Sequence, residues 1–147
     1  MPAGPQCIVW LVTGEAESAR RARPVTFSFT TDLSALRAVV RRHAGAAGLS
    51  EARTVDLVLA VSEVAANTVR HARSPGCLRI WHDAGEIVCQ VSDEGAISDP
   101  LAGRRRPSLD GPGGHGLWIV HEVCDKVDVR SGTSGTTITM HMALPGW

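Results

Sequence analysis

The sequence has no tyrosine, and aromatic residues make up only 4% of its 147 residues. Lys plus Arg and Asp plus Glu balance at 15 each, so no global charge points to nucleic acid or to an acidic partner. Long hydrophobic runs are also missing. The run near the start, Cys7 to Val12, is too short to cross a bilayer and lacks a preceding basic region. We therefore expect a cytoplasmic protein with no direct nucleic-acid contact and no membrane contact.

Cysteines are few, and none of the four forms a Cys-x-x-Cys pair. Two of them lie in apolar strand patterns, which favours buried free thiols in a reducing compartment over disulfides. Neither the cysteines nor the six histidines show the spacing of zinc ligands. What the chain does contain is ordinary for one globular domain: 44% hydrophobic and 20% charged residues, at a length that can bury a core.

One stretch, Leu57 to Ala72, organises the chain. Its apolar residues recur at helical spacing and would form one stripe. Glu63 and Asn67 stand on the opposite side, one turn apart, followed by Arg70 and His71. Leu59 and Ala66 border this polar stripe, where a solvated helix face would normally carry more charges. The pattern fits the wall of a pocket, and it also fits an ordinary half-exposed helix.

The flanking segments predict the remaining elements. A strand is expected at 25–29, followed by a helix capped by Thr31 or Asp32 and ended by Gly48. Ser50 can cap the central helix, and hairpins are expected at 77–92 and 127–144. This order is not a βαβ alternation. It predicts an α+β fold: a two-layer sandwich in which helices cover one face of a mixed, mostly antiparallel sheet.

Residues 96–114 show no periodicity and contain several prolines, glycines and arginines. A loop this long is typical of a lid over a binding site, and a disordered loop without a function is the alternative. It ends in Gly113-Gly114-His115-Gly116, directly before the apolar helix that starts at Leu117. Free backbone N–H groups at such a junction can bind phosphate. The segment is neither a Walker A loop nor a Rossmann fingerprint.

Domain boundaries follow from these patterns. Residues 1–24 are predicted to be an N-terminal extension, with an edge strand at Ile8 to Val12 as one interpretation, and residues 25–147 to be one domain.

Three segments, taken together, resemble a known superfamily. Glu63-x3-Asn67 lies on a helix, Asp93-x-Gly95 ends a strand, and Gly114-x-Gly116-Leu117 follows the long loop. This order is similar to that of the GHKL ATPases, with the histidine-kinase and gyrase type of ATP-binding fold. The sequence Ser-Glu-Val-Ala-Ala-Asn-Thr-Val-Arg-His looks most like the corresponding segment of the anti-sigma-factor serine/threonine kinases.

The resemblance implies a role for each matching residue. Asn67 would bind Mg²⁺, Asp93 would accept a hydrogen bond from the adenine amino group, and Gly95 would let the backbone pass close to the base. Glu63 would be the catalytic base. Further ATP contacts are implied for Gly113, Gly114, His115, Gly116, Leu117 and Thr137.

The sequence departs from the family at two positions: Ile97 and Ala72 stand where glycine is common. Neither change removes a polar contact, but Ile97 puts the first turn of the lid in question. The chain also lacks room for a dimerisation helix pair that carries a phospho-accepting histidine.

The implied function is that of an ATP-dependent protein-serine/threonine kinase. It would phosphorylate an anti-sigma-factor antagonist and bind a sigma factor. The alternatives are a nucleotide-dependent anti-sigma binding module with little or no kinase activity, and a stand-alone ATPase, which fits the small size poorly. A homodimer is left open.

Overall fold

A computed structural model describes residues 24–71, 75–83, 85–93, 115–132 and 135–145. The elements follow one another in the predicted order of strand, two helices, hairpin, helix and hairpin. They are β1 (Val25–Phe29), α1 (Ser34–Ala47), α2 (Glu51–His71), β2 (Gly76–Asp83), β3 (Glu86–Asp93), α3 (His115–Val123), β4 (Lys126–Gly132) and β5 (Gly135–Ala143). The predicted edge strand at 8–12 and the predicted lid at 96–114 lie outside the described residues.

The five strands form one sheet in the order β1-β2-β3-β5-β4. Within the described residues every strand pairing is antiparallel, which makes the sheet more regular than the mixed one we expected. The α+β class is confirmed. The second hairpin joins the first through β5, so that Asp93 at the end of β3 lies opposite Thr136.

The hydrophobic core lies between the sheet and the three helices. Leu36 and Val40 of α1, Leu57 and Val61 of α2 and Val120 of α3 are completely buried in it. The strands contribute the alternate residues that face the helices: Leu78, Ile80, Cys89, Val91, Ile138, Met140 and Met142. Burying such side chains stabilises the fold by about 1.5–3 kcal/mol each relative to exposure.

The helix ends are set by local chemistry, as the sequence predicted, with one difference. Gly48 ends α1 at φ 93°, a left-handed conformation that favours glycine. The hydroxyl of Ser50 accepts a hydrogen bond from the Arg53 backbone N–H at 3.2 Å. At the start of α1, however, Leu33 occupies the cap position, and Asp32 accepts a hydrogen bond from the Ser34 backbone N–H at 3.0 Å.

Arg53 fixes the end of α3 against the start of α2. Its guanidinium donates to the carbonyl oxygen of Val123 at 3.0 Å and to Asp125 Oδ1 at 3.2 Å. The other carboxylate oxygen of Asp125 accepts a hydrogen bond from the Ala143 backbone N–H at 2.6 Å. The Asp125 carboxylate therefore joins α2 to β5, and Arg53 joins α2 to the end of α3.

The cysteines follow the prediction only in part. Cys89 and Cys124 are free and buried, and burial raises the pKa of both thiols, that of Cys124 to about 12. Cys77, in contrast, is disulfide-bonded, so the expectation of a free thiol is wrong for this residue. Its bonding partner lies outside the described residues. Within the part of the chain that the structure describes, no helix is long and apolar enough to cross a membrane.

Candidate functional site

Helix α2 forms one wall of the candidate site. Its residues from Leu57 to Thr68 alternate between the core and the opposite, polar side that carries Glu63 and Asn67, which are half-buried. Leu59, on the border of that side, is 40% exposed. Since a helix rises about 5.4 Å per turn, residues four apart project in nearly the same direction. A carboxylate and a carboxamide are therefore presented together.

The carboxamide of Asn67 already has a hydrogen-bond partner on the same helix. Its oxygen accepts a hydrogen bond from the guanidinium of Arg70, one turn further along the helix. An uncharged oxygen at this position matches the ligand chemistry of a hard cation such as Mg²⁺, which usually takes few protein ligands. Any cation bound by Asn67 has to compete with Arg70 for that oxygen.

Asp93 connects the end of β3 to the same helix. Its Oδ2 atom accepts a hydrogen bond from the Thr68 hydroxyl at 2.9 Å. Thr68 is 4% exposed, so the hydroxyl is held in place by the surrounding core. Sequence reasoning missed this residue. The available signal was a hydroxyl on the mostly apolar side of α2, one turn after Val64.

The two neighbouring threonines of β5 lie on opposite faces of the sheet. Thr136 is directly opposite Asp93 and shares its face, and its hydroxyl lies 2.8 Å from that of Ser131. Thr137 is opposite Ser92 and faces away from the helices. The structure therefore brings Thr136, and not Thr137, to the side of the sheet where Asp93 meets α2.

The first turn of helix α3 carries three of the predicted site residues, His115, Gly116 and Leu117. Its last carbonyls are held at Arg53, near the start of α2, and the two helices pack against each other. The nine residues of α3 span about 12 Å. Leu117 is 5% exposed and anchors this turn in the core.

Comparison with known proteins decides the family. A sequence profile described as the histidine kinase-like ATPase domain matches residues 28–142, which is most of the chain. The chain belongs to this family. Membership makes ATP the expected nucleotide, and it agrees with the GHKL resemblance seen in the sequence. No curated protein matches the chain significantly.

Solved structures share the fold at low identity. The RsbU and RsbW domains of Rv1364c from Mycobacterium tuberculosis align with a TM-score of 0.61 and 19% identity, over 84% of this chain and 33% of that one. This chain thus spans about a third of that protein. A chain of the SiaB-SiaC complex from Pseudomonas aeruginosa aligns with a TM-score of 0.59 and 14% identity, over 90% of this chain and 98% of that one. The histidine kinase AdeS from Acinetobacter baumannii aligns with a TM-score of 0.52 and 13% identity, over 88% of this chain and 72% of that one.

Among the described residues, the hydrogen bond from Thr68 to Asp93 joins the two parts of the candidate site. Glu63, Asn67 and Thr68 stand on α2, and Asp93 and Thr136 stand at the adjoining end of the sheet. Three predicted glycines, Gly95, Gly113 and Gly114, lie outside the described residues. Their roles stay predictions.

Proposed function

We propose that this ATPase-family chain is a protein-serine/threonine kinase that phosphorylates an anti-sigma-factor antagonist and binds a sigma factor. The observation that carries the proposal is the pairing of Glu63 with Asn67, one turn apart on α2 and both half-buried. A protein that only senses nucleotide needs a magnesium ligand and an adenine acceptor. It does not need a carboxylate one turn away from the metal ligand.

The neighbours in fold support a protein partner. One contains an RsbW domain, and another, SiaB, was solved in complex with a second protein, SiaC. We propose by analogy that this chain binds a small antagonist protein, and that both it and its partners act in the cytoplasm.

For nucleotide binding, we propose that Asp93 accepts the adenine amino group. The hydrogen bond from Thr68 would hold the carboxylate in the required orientation. Asn67 would hold Mg²⁺, which when bound neutralises charge on the phosphates. The backbone N–H groups of His115 and Gly116, in the first turn of α3, would bind phosphate oxygens.

For transfer, we propose that Glu63 accepts the proton of the incoming serine or threonine hydroxyl. A bond forms between that oxygen and the γ-phosphorus, while the bond from the γ-phosphorus to the β–γ bridging oxygen breaks. ADP leaves with the electron pair of the broken bond. The protein contributes mainly positioning and charge stabilisation, as in other phosphoryl transfers.

The experiment compares three variants on α2. Glu63→Gln should bind Mg·ATP as the wild type does but transfer phosphate about 10²–10⁴-fold more slowly, because a positioned base is lost. Asn67→Ala should lose both magnesium-dependent binding and transfer. Glu51→Gln, at an exposed carboxylate in the first turn of the same helix, is the matched control and should change neither. Binding is measured by calorimetry and transfer with radiolabelled ATP and the antagonist that co-purifies from the native cell.

The alternative is an anti-sigma binding module with little or no kinase activity. The contact between Arg70 and Asn67 does not distinguish the two functions, because a nucleotide-dependent module and a kinase both need Asn67 to hold Mg²⁺. Wild-type protein that retains a sigma factor but labels no antagonist would establish this alternative. Equal transfer by wild type and Glu63→Gln would show that Glu63 is not the base.

A further inference from the structure

Helix α2 carries an exposed apolar pair that does not contribute to the core. Of the large apolar side chains that the structure describes, three are exposed: Val25 by 38%, Val55 by 55% and Leu59 by 40%. Val55 and Leu59 are one turn apart on the same helix, so their side chains are neighbours. The other large apolar residues in this part of α2 are buried: Leu57, Val58, Val61 and Val64. A single exposed apolar residue is ordinary on a protein surface, but this adjacent pair forms a small patch.

The pair lies in one row with the polar residues of the candidate site. The row runs at intervals of four residues, the spacing of a surface ridge on a helix: Val55, Leu59, Glu63 and Asn67. Each step rises about 6 Å along the helix axis. Leu59 is therefore one turn before Glu63 and Val55 is two turns before it, on the side toward the start of the helix.

The charges next to the pair are already compensated. Arg53 and Asp56, the nearest charged residues in the sequence to Val55, pair with each other at 3.4 Å. Arg53 also pairs with Asp125 at 3.2 Å. From Val55 to the residue before Glu63, Asp56 is the only charged residue of the sequence. A partner that contacts this part of α2 is therefore selected by apolar surface and not by charge.

The nucleotide does not account for the pair. Its proposed contacts, Asn67 and Asp93, lie beyond Glu63 toward the end of α2, where the Thr68 hydroxyl donates to Asp93 at 2.9 Å. In-line transfer places the acceptor hydroxyl on the side of the γ-phosphorus that faces away from ADP. A nucleotide held toward the end of α2 thus leaves the side toward the start of the helix for the acceptor.

We infer that Val55 and Leu59 form the docking contact for the protein that delivers the acceptor hydroxyl to Glu63. The inference rests on the proposed function and adds the chemistry of the partner. The partner presents apolar side chains at about 6 and 12 Å from its acceptor hydroxyl, on one face. In an extended segment, alternate residues share a face and are about 6.6 Å apart. A serine or threonine with apolar residues two and four positions away on one side therefore matches the row.

Binding of the acceptor protein is the first test. The probe is the antagonist that co-purifies from the native cell, titrated into the full chain with Mg²⁺ and a non-hydrolysable ATP analogue. Leu59→Gln should raise its Kd about tenfold and Val55→Gln about fivefold, because an apolar contact is lost. Val25→Gln, at the exposed apolar residue of β1, is the matched control and should leave the Kd unchanged. In transfer assays the two docking variants should raise the KM for the antagonist, while kcat at saturation stays near the wild-type value.

The outcomes separate docking from catalysis. A raised Kd in both docking variants, together with no phosphate transfer by the wild type, supports the docking surface and refutes the kinase proposal. Transfer by the wild type, with Kd and KM unchanged in both variants, overturns the inference and leaves the kinase proposal intact. A wild-type chain that binds no antagonist overturns both.

Photo-crosslinking is the second test, and it locates the acceptor segment. A benzophenone amino acid replaces Val55 in the full chain, which is irradiated with the same antagonist and ATP analogue. Crosslinks to the antagonist peptide that carries the phosphorylated serine or threonine are the expected result. The same probe at position 25 should not label this peptide. Crosslinks from position 55 to distant antagonist peptides would refute the inference, as would crosslinks to a second copy of the chain, detected by mixing light and heavy isotopic forms.

Discussion

Replacing Thr68 with valine tests whether Asp93 depends on α2 for its orientation. Valine keeps the branched shape of the side chain, which is 4% exposed, and removes the hydroxyl that donates to Asp93 Oδ2 at 2.9 Å. A hydrogen bond to a charged group contributes about 1.5–3 kcal/mol. Because Asp93 is only half-buried, water can replace part of it, and we expect a loss of about 1–2 kcal/mol in the free energy of unfolding.

The same change should weaken nucleotide binding, since a carboxylate that has lost the hydrogen bond from Thr68 is held less firmly for the adenine amino group. A misplacement that costs about 1 kcal/mol corresponds to roughly a fivefold rise in the Kd for ADP. Thr68→Ser is the matched control: it keeps the hydroxyl and loses one buried methyl group. It should lose stability, yet bind ADP nearly as the wild type does.

Two measurements separate these effects: urea unfolding followed by circular dichroism, and calorimetric titration with Mg·ADP. The reasoning fails if Thr68→Val binds ADP like the wild type. It also fails if Thr68→Ser loses as much affinity as Thr68→Val, because the hydroxyl would then not be the cause.

Three further predictions concern the fold. Gly76→Ala would place a Cβ 2.3–2.8 Å from three ring atoms of Phe29, and we expect urea unfolding to show a loss of about 1–3 kcal/mol that Phe29→Leu in the same chain partly reverses. Arg53→Ala removes the donor to the Val123 carbonyl, and should lower the free energy of unfolding by about 1 kcal/mol; an unchanged Tm would show that this contact does not hold α3. Burial, with the charges of Arg42 and His82, lowers the pKa of His43, so the unfolded chain binds this proton more tightly. The contribution of His43 to the free energy of unfolding should therefore be fully present above about pH 6.5 and should be lost as the pH drops through the lowered pKa. His43→Gln should reduce this pH dependence when the free energy of unfolding is measured at several pH values.

The sequence predicted most of the fold because its signals are local. Each of these signals concerns residues close together in the chain: the helix end at Gly48, the cap at Ser50 and the apolar stripe of α2. The structure places all three where the pattern indicates. The pairing of β5 with β3, in contrast, depends on contacts between residues far apart in the chain. The alternation of β2 and β3 likewise could not show that Arg79 and Gln90 are buried, because a polar residue on a strand normally indicates a solvated face.

The site was predictable as a set of residue types but not as a geometry. The spacing of Glu63 and Asn67 follows from the helix period alone. In contrast, the choice between Thr136 and Thr137 depends on strand register, and a shift of one residue exchanges the two faces. The bond from Thr68 to Asp93 joins positions 25 apart in sequence, which no local pattern reveals.

The position of β5 between β3 and β4 has a consequence for the order in which the protein folds. Each hairpin, β2–β3 and β4–β5, closes over a short turn and can form early. Pairing β3 with β5 requires closure of a loop of more than 40 residues, whose entropy cost slows it. Asp93 and Thr136 belong to different hairpins and meet only in that late step. A folding intermediate with both hairpins formed would therefore be unable to bind nucleotide.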